Sequence, residues 1–393
     1  MKLLFLVADG MGGWPIEDLD DKTTLEAAYT PNMDMLAGKG LVGTCRTVPK
    51  GMAPGSDVAN MSLLGFDPSV YHTGRGPIEA AAQGLKLDPD DLVWRMNLVN
   101  ISGFEEDGTM YDYSSGHIGT DQSVPLVEKL QAELGNDEFT FYPGIQYRHL
   151  LVHKGGAKKP ESKLEIRPPH DLTDKPIGDD VKEFAKSPLM DKLVRDAEKI
   201  LAGNGTKAVS IWPWGQGKPL ILPPFQEKFG MKGAVISAVD LIKGLGRASG
   251  LKVIDIEGAT GLVDTNYEGK VEATLNFLEH GDFVYVHLEG PDEAGHMGSV
   301  EDKITAIERF DKLIVGPLLK KYPLDQASYV ITCDHFTPIE TRTHDETPVP
   351  FIMTSPRCIA SGIESFSEQI ADRAGIIIPE GHDFMQWVLD KIK

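Results

Sequence analysis

Carboxylate and imidazole side chains recur in this sequence in short segments whose combination suits divalent-metal chemistry. Asp9 stands in VADGMGG, Asp292 and His296 in GPDEAGH, Asp334 and His335 in TCDH, and His344 in RTHDETPVP. Such a mixed ligand set is one that Mn²⁺ or Zn²⁺ accepts. Two such ions clamp the attacking and leaving oxygens of an in-line phosphoryl displacement. Ser56 in APGSDVAN offers a hydroxyl nucleophile for that chemistry, and Lys232 in FGMKGA a cation for the phosphate. A serine hydroxyl is a weak nucleophile until a base or a metal activates it. Plainer readings stand beside these. Ser56 precedes an apolar helical pattern (Val58, Met61, Leu63, Leu64) and would serve as an ordinary N-cap. The same helix start, with its free N–H groups, favours a bound phosphate or alkoxide. Asp292 taken alone reads as an acidic surface turn and His344 as a solvated loop residue. Gly290, Pro291 and Gly295 favour a tight loop over a helix for GPDEAGH.

The elements that must hold these residues are legible as apolar runs. Leu3 to Ala8 is continuously apolar, as in a central parallel strand covered on both faces, and Asp9 follows it directly. Residues 282–288 (DFVYVHL) repeat the pattern just before GPDEAGH, and 328–332 (SYVIT) repeat it just before Cys333-Asp334-His335. Three strands thus each end in a candidate ligand, where open α/β sheets gather their ligands. Amphipathic helical patterns alternate with them at 238–249, 267–280 and 300–319, with Pro317 blurring the last turn of the third. The alternation predicts an α/β fold with a mostly parallel sheet. Between 154 and 180 the chain is rich in Pro, Gly and charge and reads as a long loop, flanked by strand-like 147–153 and 207–212. The expected organisation is a discontinuous metal-binding domain of 1–75 and 230–393, with residues 76–229 as an inserted second α/β domain.

Bulk properties narrow the function classes. At 393 residues two domains are the default, and 41% hydrophobic with 25% charged residues is ordinary for a soluble globule. A net charge of −20 argues against nucleic-acid and anionic-membrane partners, so an anionic substrate must be held by local cations or metal. Cys45, Cys333 and Cys358 form no CxxC and read as reduced thiols of a cytoplasmic protein, Cys333 in a packing role. The apolar run at the N-terminus is too short for a signal peptide and ends at Asp9. There is no GxxxxGK[ST] segment, and Ser56 lacks a sulfatase-type context.

VADGMGG, PGSDVANMSLLGFDP, HTGRGPIEAAAQG, YRHLLV, EGATGLVDTNYEGK, GPDEAGH, TCDH and PVPF together resemble the cofactor-independent phosphoglycerate mutases of the archaeal type, in the alkaline phosphatase superfamily. The similarity runs over essentially the whole chain. It implies an alkaline-phosphatase-like metal domain and interconversion of 3- and 2-phosphoglycerate through a phosphoserine at Ser56. It implies two divalent ions, Mn²⁺ foremost with Mg²⁺ or Zn²⁺ as alternatives. One would sit on Asp9, Ser56, Asp334 and His335, the other on Asp292, His296 and His344. It further implies that Lys232 contacts phosphate, that His117 in SSGHI is an acid/base group, and that Arg95 in WRMN and Arg148 in YRHL clamp the small phosphorylated substrate. One segment departs from the pattern. Where the family carries an arginine-bearing RGAG-like stretch, this chain has WPWGQGK, leaving Lys218 as the nearby cation. WPWGQG resembles a bacterial subgroup proposed to act as homoserine kinase. A homoserine kinase-like phosphotransferase, a phosphomonoesterase and a metal-stabilised binding protein are therefore the rival readings. If Trp214 replaces the family arginine, mutase activity is expected to be inefficient and to improve with Trp214→Arg, since a hydrogen bond to a charged group is worth roughly 1.5–3 kcal/mol.

Overall fold

The computed structural model describes residues 2–392. In chain order the strands are β1 (Lys2–Ala8), β2 (Leu41–Cys45), β3 (Leu92–Ile101), β4 (Thr109–Asp112), β5 (Phe139–Tyr142), β6 (Arg148–His153), β7 (Lys175–Pro176), β8 (Ser210–Gly217), β9 (Gly233–Ile236), β10 (Lys252–Ile254), β11 (Phe283–Leu288), β12 (Ala327–Thr332), β13 (Val349–Thr354) and β14 (Ile376–Ile378). The chain divides into two compact units, Met1–His72 with Leu222–Lys393, and Thr73–Ile221. The first boundary falls after His72 rather than after residue 75, because His72 is held by Asp57 at 2.9 Å while the Thr73 hydroxyl donates to the Lys218 carbonyl at 2.6 Å. The second falls after Ile221 rather than after residue 229. Helix Phe225–Phe229 packs on the first unit: Phe225 stacks on Phe283 with ring centres 4.7 Å apart, and Lys228 donates to the Gly65 carbonyl at 2.7 Å.

The first unit is built on a sheet of order β10-β9-β11-β1-β12-β13-β2-β14. β1 pairs in parallel with β11 (Leu3↔Phe283 to Ala8↔Leu288) and with β12 (Lys2↔Ala327 to Val7↔Thr332). Only β13 runs against its neighbours β12 and β2. Leu3 to Ala8 are fully enclosed, which explains why the run is apolar without alternation. The helical pattern over 300–319 is a helix Val300–Phe310, a π turn Asp311–Val315 and a helix Gly316–Lys321. Pro317 sits in the first turn of the last segment, where a missing N–H is best tolerated, and the wide π turn ahead of it absorbs the interruption.

The insert mixes helices and strands, as expected of a second α/β domain, but without parallel pairing. Its strands pair antiparallel throughout, in the order β5-β6-β3-β4-β7 with β8 also on β3, so this unit is an antiparallel sheet with helices packed against it. Trp94, Trp212, Phe104 and Phe184 anchor its core. Helix Pro188–Leu201 buries Met190, Leu193, Val194, Ala197 and Leu201, one face of a 3.6-residue period, behind a Ser187 cap. The stretch read as a loop over 154–180 is folded into 3-10 turns Gly156–Lys158, Pro160–Lys163 and Pro169–Leu172, the short β7, and the start of helix Gly178–Ala185. Two contacts order it. The Arg167 guanidinium donates to the Asp180 carboxylate, and the Trp212 indole donates to the Arg167 carbonyl at 3.0 Å. Among the described residues no helix is long and apolar enough to cross a membrane.

Candidate active site

Parallel pairing brings the C-terminal ends of β1, β11 and β12 to one edge of the first unit's sheet. Asp9 follows β1, Asp334 and His335 follow β12, and helix Gly290–Met297 follows β11. Because β13 is antiparallel it begins at that same edge, which is why His344, just upstream of Val349, arrives there. β2 ends there too and leads to helix Ser56–Leu63.

Local geometry corrects two expectations. GPDEAGH is a helix, not a tight loop. Pro291 occupies its first turn, where no intrahelical donor is lost, and Gly298 closes it with φ +71°. Asp292 and His296 therefore sit one turn apart on one face, with Nε2 3.2 Å from Oδ2. Ser56 is not the N-cap. Gly55 holds that position, Ser56 is the first helical residue, and its hydroxyl lies 3.1 Å from His335 Nε2.

The candidate ligands converge. His335 Nε2 is 3.4 Å from Asp9 Oδ1 and 3.5 Å from Asp334 Oδ2. His344 Nε2 is 3.5 Å from Asp292 Oδ1 and 3.0 Å from His296 Nε2. Asp9, Asp334 and His335 form one group with ligand atoms within 4.8 Å of one another, and Asp292, His335 and His344 form a second, so His335 touches both. Nδ1 of His296 faces the Arg342 carbonyl at 2.9 Å and Nδ1 of His335 faces that of Phe336 at 3.3 Å. With the proton on Nδ1 in each case, both Nε2 atoms keep their lone pairs for a metal.

The electrostatics fit a cation at this edge. Burial, then the charges of Asp334 and Asp292, push the Asp9 carboxyl well above its ordinary range. Burial opposes ionisation of Asp334 as well, but His335 and His287 hold its carboxyl low. Asp9 Oδ1 is buried without a hydrogen-bond partner. Buried carboxylates packed this closely are costly unless positive charge is supplied, and a divalent ion supplies it.

A supporting ring orients the ligands, and most of it is invisible in the sequence. Asn60 Nδ2 donates to Asp334 Oδ2 at 2.7 Å and to the Ser56 carbonyl at 2.8 Å, while its Oδ1 accepts from the Tyr285 hydroxyl. His287 Nε2 lies 3.1 Å from Asp9 Oδ2, and burial lowers this imidazole to about 4. The Thr337 hydroxyl donates to Asp292 Oδ1, and the Gly10 amide donates to Asp334 Oδ1 at 3.1 Å. Gly10 has φ +61°, and a Cβ there would meet the Thr337 hydroxyl at 2.6 Å and Asp292 Oδ1 at 2.7 Å, so only glycine fits. A histidine inside the apolar run 282–288 and an Asn four residues after Ser56 were the available signals. Thr337 carried none.

Lys232 does not join this group. It is exposed at the start of β9, level with Asp282, whose backbone N–H donates to its carbonyl at 2.8 Å. That is the N-terminal end of a parallel strand, at the sheet edge opposite the ligands. The lysine that does reach the end of β11 is the buried Lys270, which donates to the His287 carbonyl at 3.1 Å.

Within the insert, Arg95, His117 and Arg148 belong to one cationic and aromatic cluster. The Arg95 guanidinium lies 4.6 Å from the Trp214 ring and pairs with Glu79 at 3.0 Å. Trp214 donates to Asn97 Oδ1 at 3.0 Å and is flanked by His170 at 5.5 Å. Tyr113 and Tyr147 contact each other and the His117 ring, and Arg148 lies 5.6 Å from the Tyr147 ring. Burial lowers Arg95, and the neighbouring charges of Arg75 and Arg148 add to that. His117 has φ +52°, a left-handed conformation that only a specific turn imposes on a non-glycine residue. Arg75 and His170 are thus additional members. Lys218 is exposed, with only its carbonyl engaged by Thr73.

Comparison with known proteins agrees with this architecture. A family model described as 2,3-bisphosphoglycerate-independent phosphoglycerate mutase matches residues 37–205. A probable 2,3-bisphosphoglycerate-independent phosphoglycerate mutase of Geobacter sulfurreducens is 43% identical over the full length of both chains. The enzyme of that name from Methanosarcina barkeri is 43% identical over 98% of each. A solved structure from Pyrococcus horikoshii superposes with TM-score 0.83 at 29% identity, covering all of this chain and 98% of that one. The cofactor-independent phosphoglycerate mutase of Thermoplasma acidophilum does so with TM-score 0.66 at 27% identity over both whole chains. Fold and site define an α/β enzyme of phosphoryl transfer with a place for divalent metal. The chain belongs to the archaeal-type family of 2,3-bisphosphoglycerate-independent phosphoglycerate mutases.

Two outcomes follow from this geometry. Chain stripped of metal with a chelator should gain thermal stability on addition of Mn²⁺, by about 2.7 kcal/mol at a hundredfold excess over Kd. A melting temperature indifferent to Mn²⁺, Mg²⁺ and Zn²⁺ would contradict the metal reading. The expectation for Trp214→Arg is reversed. Trp214 is 5% exposed and underlies Arg95, so an arginine there would crowd a second guanidinium against the first and deprive Asn97 of its donor. The variant should lose roughly 1–3 kcal/mol of stability in urea denaturation and gain no activity.

Proposed function

We propose that this chain interconverts 3-phosphoglycerate and 2-phosphoglycerate through a phosphoserine at Ser56, without added 2,3-bisphosphoglycerate. The observation that carries the reading is the Ser56 hydroxyl, at the head of a helix and 3.1 Å from His335 Nε2 within the carboxylate–imidazole cluster. Full-length relatives at 43% identity that are named as such mutases support it. Two divalent ions, Mn²⁺ with Mg²⁺ or Zn²⁺ as alternatives, would be held by Asp9, Ser56, Asp334 and His335 and by Asp292, His296 and His344, and would lower the Ser56 pKa and neutralise phosphoryl charge.

Ser56 Oγ attacks phosphorus in line as the bond from phosphorus to the glycerate oxygen breaks, and that oxygen leaves as the glycerate hydroxyl once protonated. The first intrahelical bond of the Ser56 helix runs from the Ala59 amide to the Gly55 carbonyl, so the amides of Ser56, Asp57 and Val58 precede the ladder and their positive potential favours the phosphorylated serine. Asn60 fixes both the Ser56 main chain and the Asp334 carboxylate, which keeps nucleophile and ligand in register. The remaining roles are assigned to the insert. Arg95, Arg148 and Arg75 bind the substrate's carboxylate and phosphate, for which planar guanidinium groups are suited. His117 moves the proton between the glycerate hydroxyls as the phosphoryl group returns to the other oxygen. Exclusion of water preserves the phosphoserine during that exchange. Lys232, at the sheet edge opposite the ligands, makes no contact with the phosphate, and the exposed Lys218 takes no part. A homoserine kinase reading gains nothing from WPWGQG, since Trp212 is core and Trp214 is the floor beneath Arg95. The chain is assigned to the cytoplasm, in keeping with three free cysteines.

Ser56→Ala should fold normally and lose interconversion by at least about a thousandfold. Mass spectrometry of wild-type chain quenched with substrate should find phosphate on Ser56. Phosphate on a different residue, or near-normal turnover by the alanine variant, would reject the mechanism.

A further inference from the structure

Lys303 lies on helix Val300–Phe310 and is 0% exposed. Its Nζ donates to the Gly12 carbonyl at 3.1 Å and to the Thr337 carbonyl at 2.7 Å. These carbonyls belong to different loops. Gly12 is on the one that leaves β1 and carries Asp9, and Thr337 is on the one that leaves β12 and carries Asp334 and His335. The pairing of β1 with β12 stops at Val7↔Thr332, ahead of every ligand on both loops. Beyond it the loops are joined by the Gly10 amide, which donates to Asp334 Oδ1 at 3.1 Å, by the Thr337 amide, which donates to the Gly12 carbonyl at 3.2 Å, by isolated bridges at Phe336, and by Lys303. Thr337 in turn contacts Asp292 and His335 through its hydroxyl, so the spacing at Thr337 is felt by both ligand groups.

We propose that Lys303 is a positioning residue of the metal centre, its ammonium group locking the loop of Asp9 to the loop of Asp334 and His335 and thereby setting the distance between the ligands. This rests on the metal reading of the site. Lys303 reaches main-chain oxygens, not the ligands themselves. An ammonium enclosed in this way is expensive, and burial does pull it down to about 8, with Glu368 and Asp292 opposing that pull. If filling space were its only duty, an apolar side chain of similar length would fill the space at lower cost. Glu368 is engaged on the same loop, accepting from the Gly13 amide at 3.0 Å and from the Thr23 hydroxyl at 2.8 Å.

Position and charge predict opposite outcomes, which makes the inference testable. Removing the tie should loosen the ligands and weaken metal binding. Removing a positive charge near a dication site should by itself tighten it. Mn²⁺ binding to the metal-stripped full-length chain, by equilibrium dialysis, is expected to weaken roughly 10- to 100-fold in Lys303→Met. Lys303→Gln keeps N–H donors on a shorter, uncharged side chain and should fall between that variant and wild type. At saturating Mn²⁺ the substrate KM should stay within about twofold of wild type, because the tie acts on metal and not on substrate. Unchanged or tighter Mn²⁺ binding in either variant overturns the proposal. If Lys303→Met does not fold, Lys303→Gln decides the matter by the same measurement. Failure of the underlying readings is separately visible. Wild type that binds no divalent ion removes the metal centre, whereas wild type that binds Mn²⁺ without turning over phosphoglycerate removes only the mutase assignment.

Discussion

Three carboxylates, those of Asp9, Asp292 and Asp334, are buried at one edge of one sheet, and the rest of the first unit is arranged around that concentration of negative charge. Water cannot solvate them, and the Asp9 carboxyl is driven toward its neutral form by burial and by its two neighbours. Imidazoles of His335, His344 and His296 face the same point with their Nε2 atoms. Such a set is unstable as an empty structural feature and makes sense as a site for cations. Strand direction meets the requirement directly. Four strands of one direction, β1, β2, β11 and β12, end together, and the antiparallel β13 begins there, so five short segments far apart in sequence deliver side chains to one place.

Catalysis of phosphoryl transfer by such a centre is mostly a matter of placement, since nucleophile, metal ligands and phosphate must be held within narrow tolerances. The hydrogen bonds of Asn60, Thr337 and Gly10, and the close approach of His287 to Asp9, serve that placement. Each engages a ligand carboxylate, and each ties it to a different element of the sheet or its loops. The helix of Asp292 and His296 adds rigidity that a loop would lack. Its one-turn spacing is a property of helical geometry and needs no further support.

The sequence carried most of the first unit's logic. An apolar strand followed at once by Asp9, another by GPDEAGH and a third by Asp334-His335 is a pattern that parallel topology turns into a cluster. His344 was legible as a residue type, but its arrival depends on β13 running antiparallel, which no local pattern reveals. The helix at GPDEAGH was hidden because Gly and Pro lower helix propensity, whereas here Pro291 sits in the first turn and Gly298 at the cap. Lys232 was misread because motif position says nothing about which end of a strand a residue occupies. The insert was the least legible part. Its antiparallel pairing joins distant segments, and the fold of 154–180 depends on single long-range contacts such as Arg167 with Asp180 and Trp212 with the Arg167 carbonyl. Trp214 illustrates the same point. In sequence it marks a lost arginine, while in the structure it supports a retained one.

The central claim is that this centre moves a phosphoryl group between two oxygens of one glycerate. Phosphorus NMR of the Mn²⁺-loaded chain with 3-phosphoglycerate, without 2,3-bisphosphoglycerate, tests it most directly. The account predicts conversion to an equilibrium mixture with 2-phosphoglycerate and no accumulation of inorganic phosphate. Inorganic phosphate as the sole product, or an unchanged spectrum from a chain that instead phosphorylates homoserine when ATP is supplied, would contradict it.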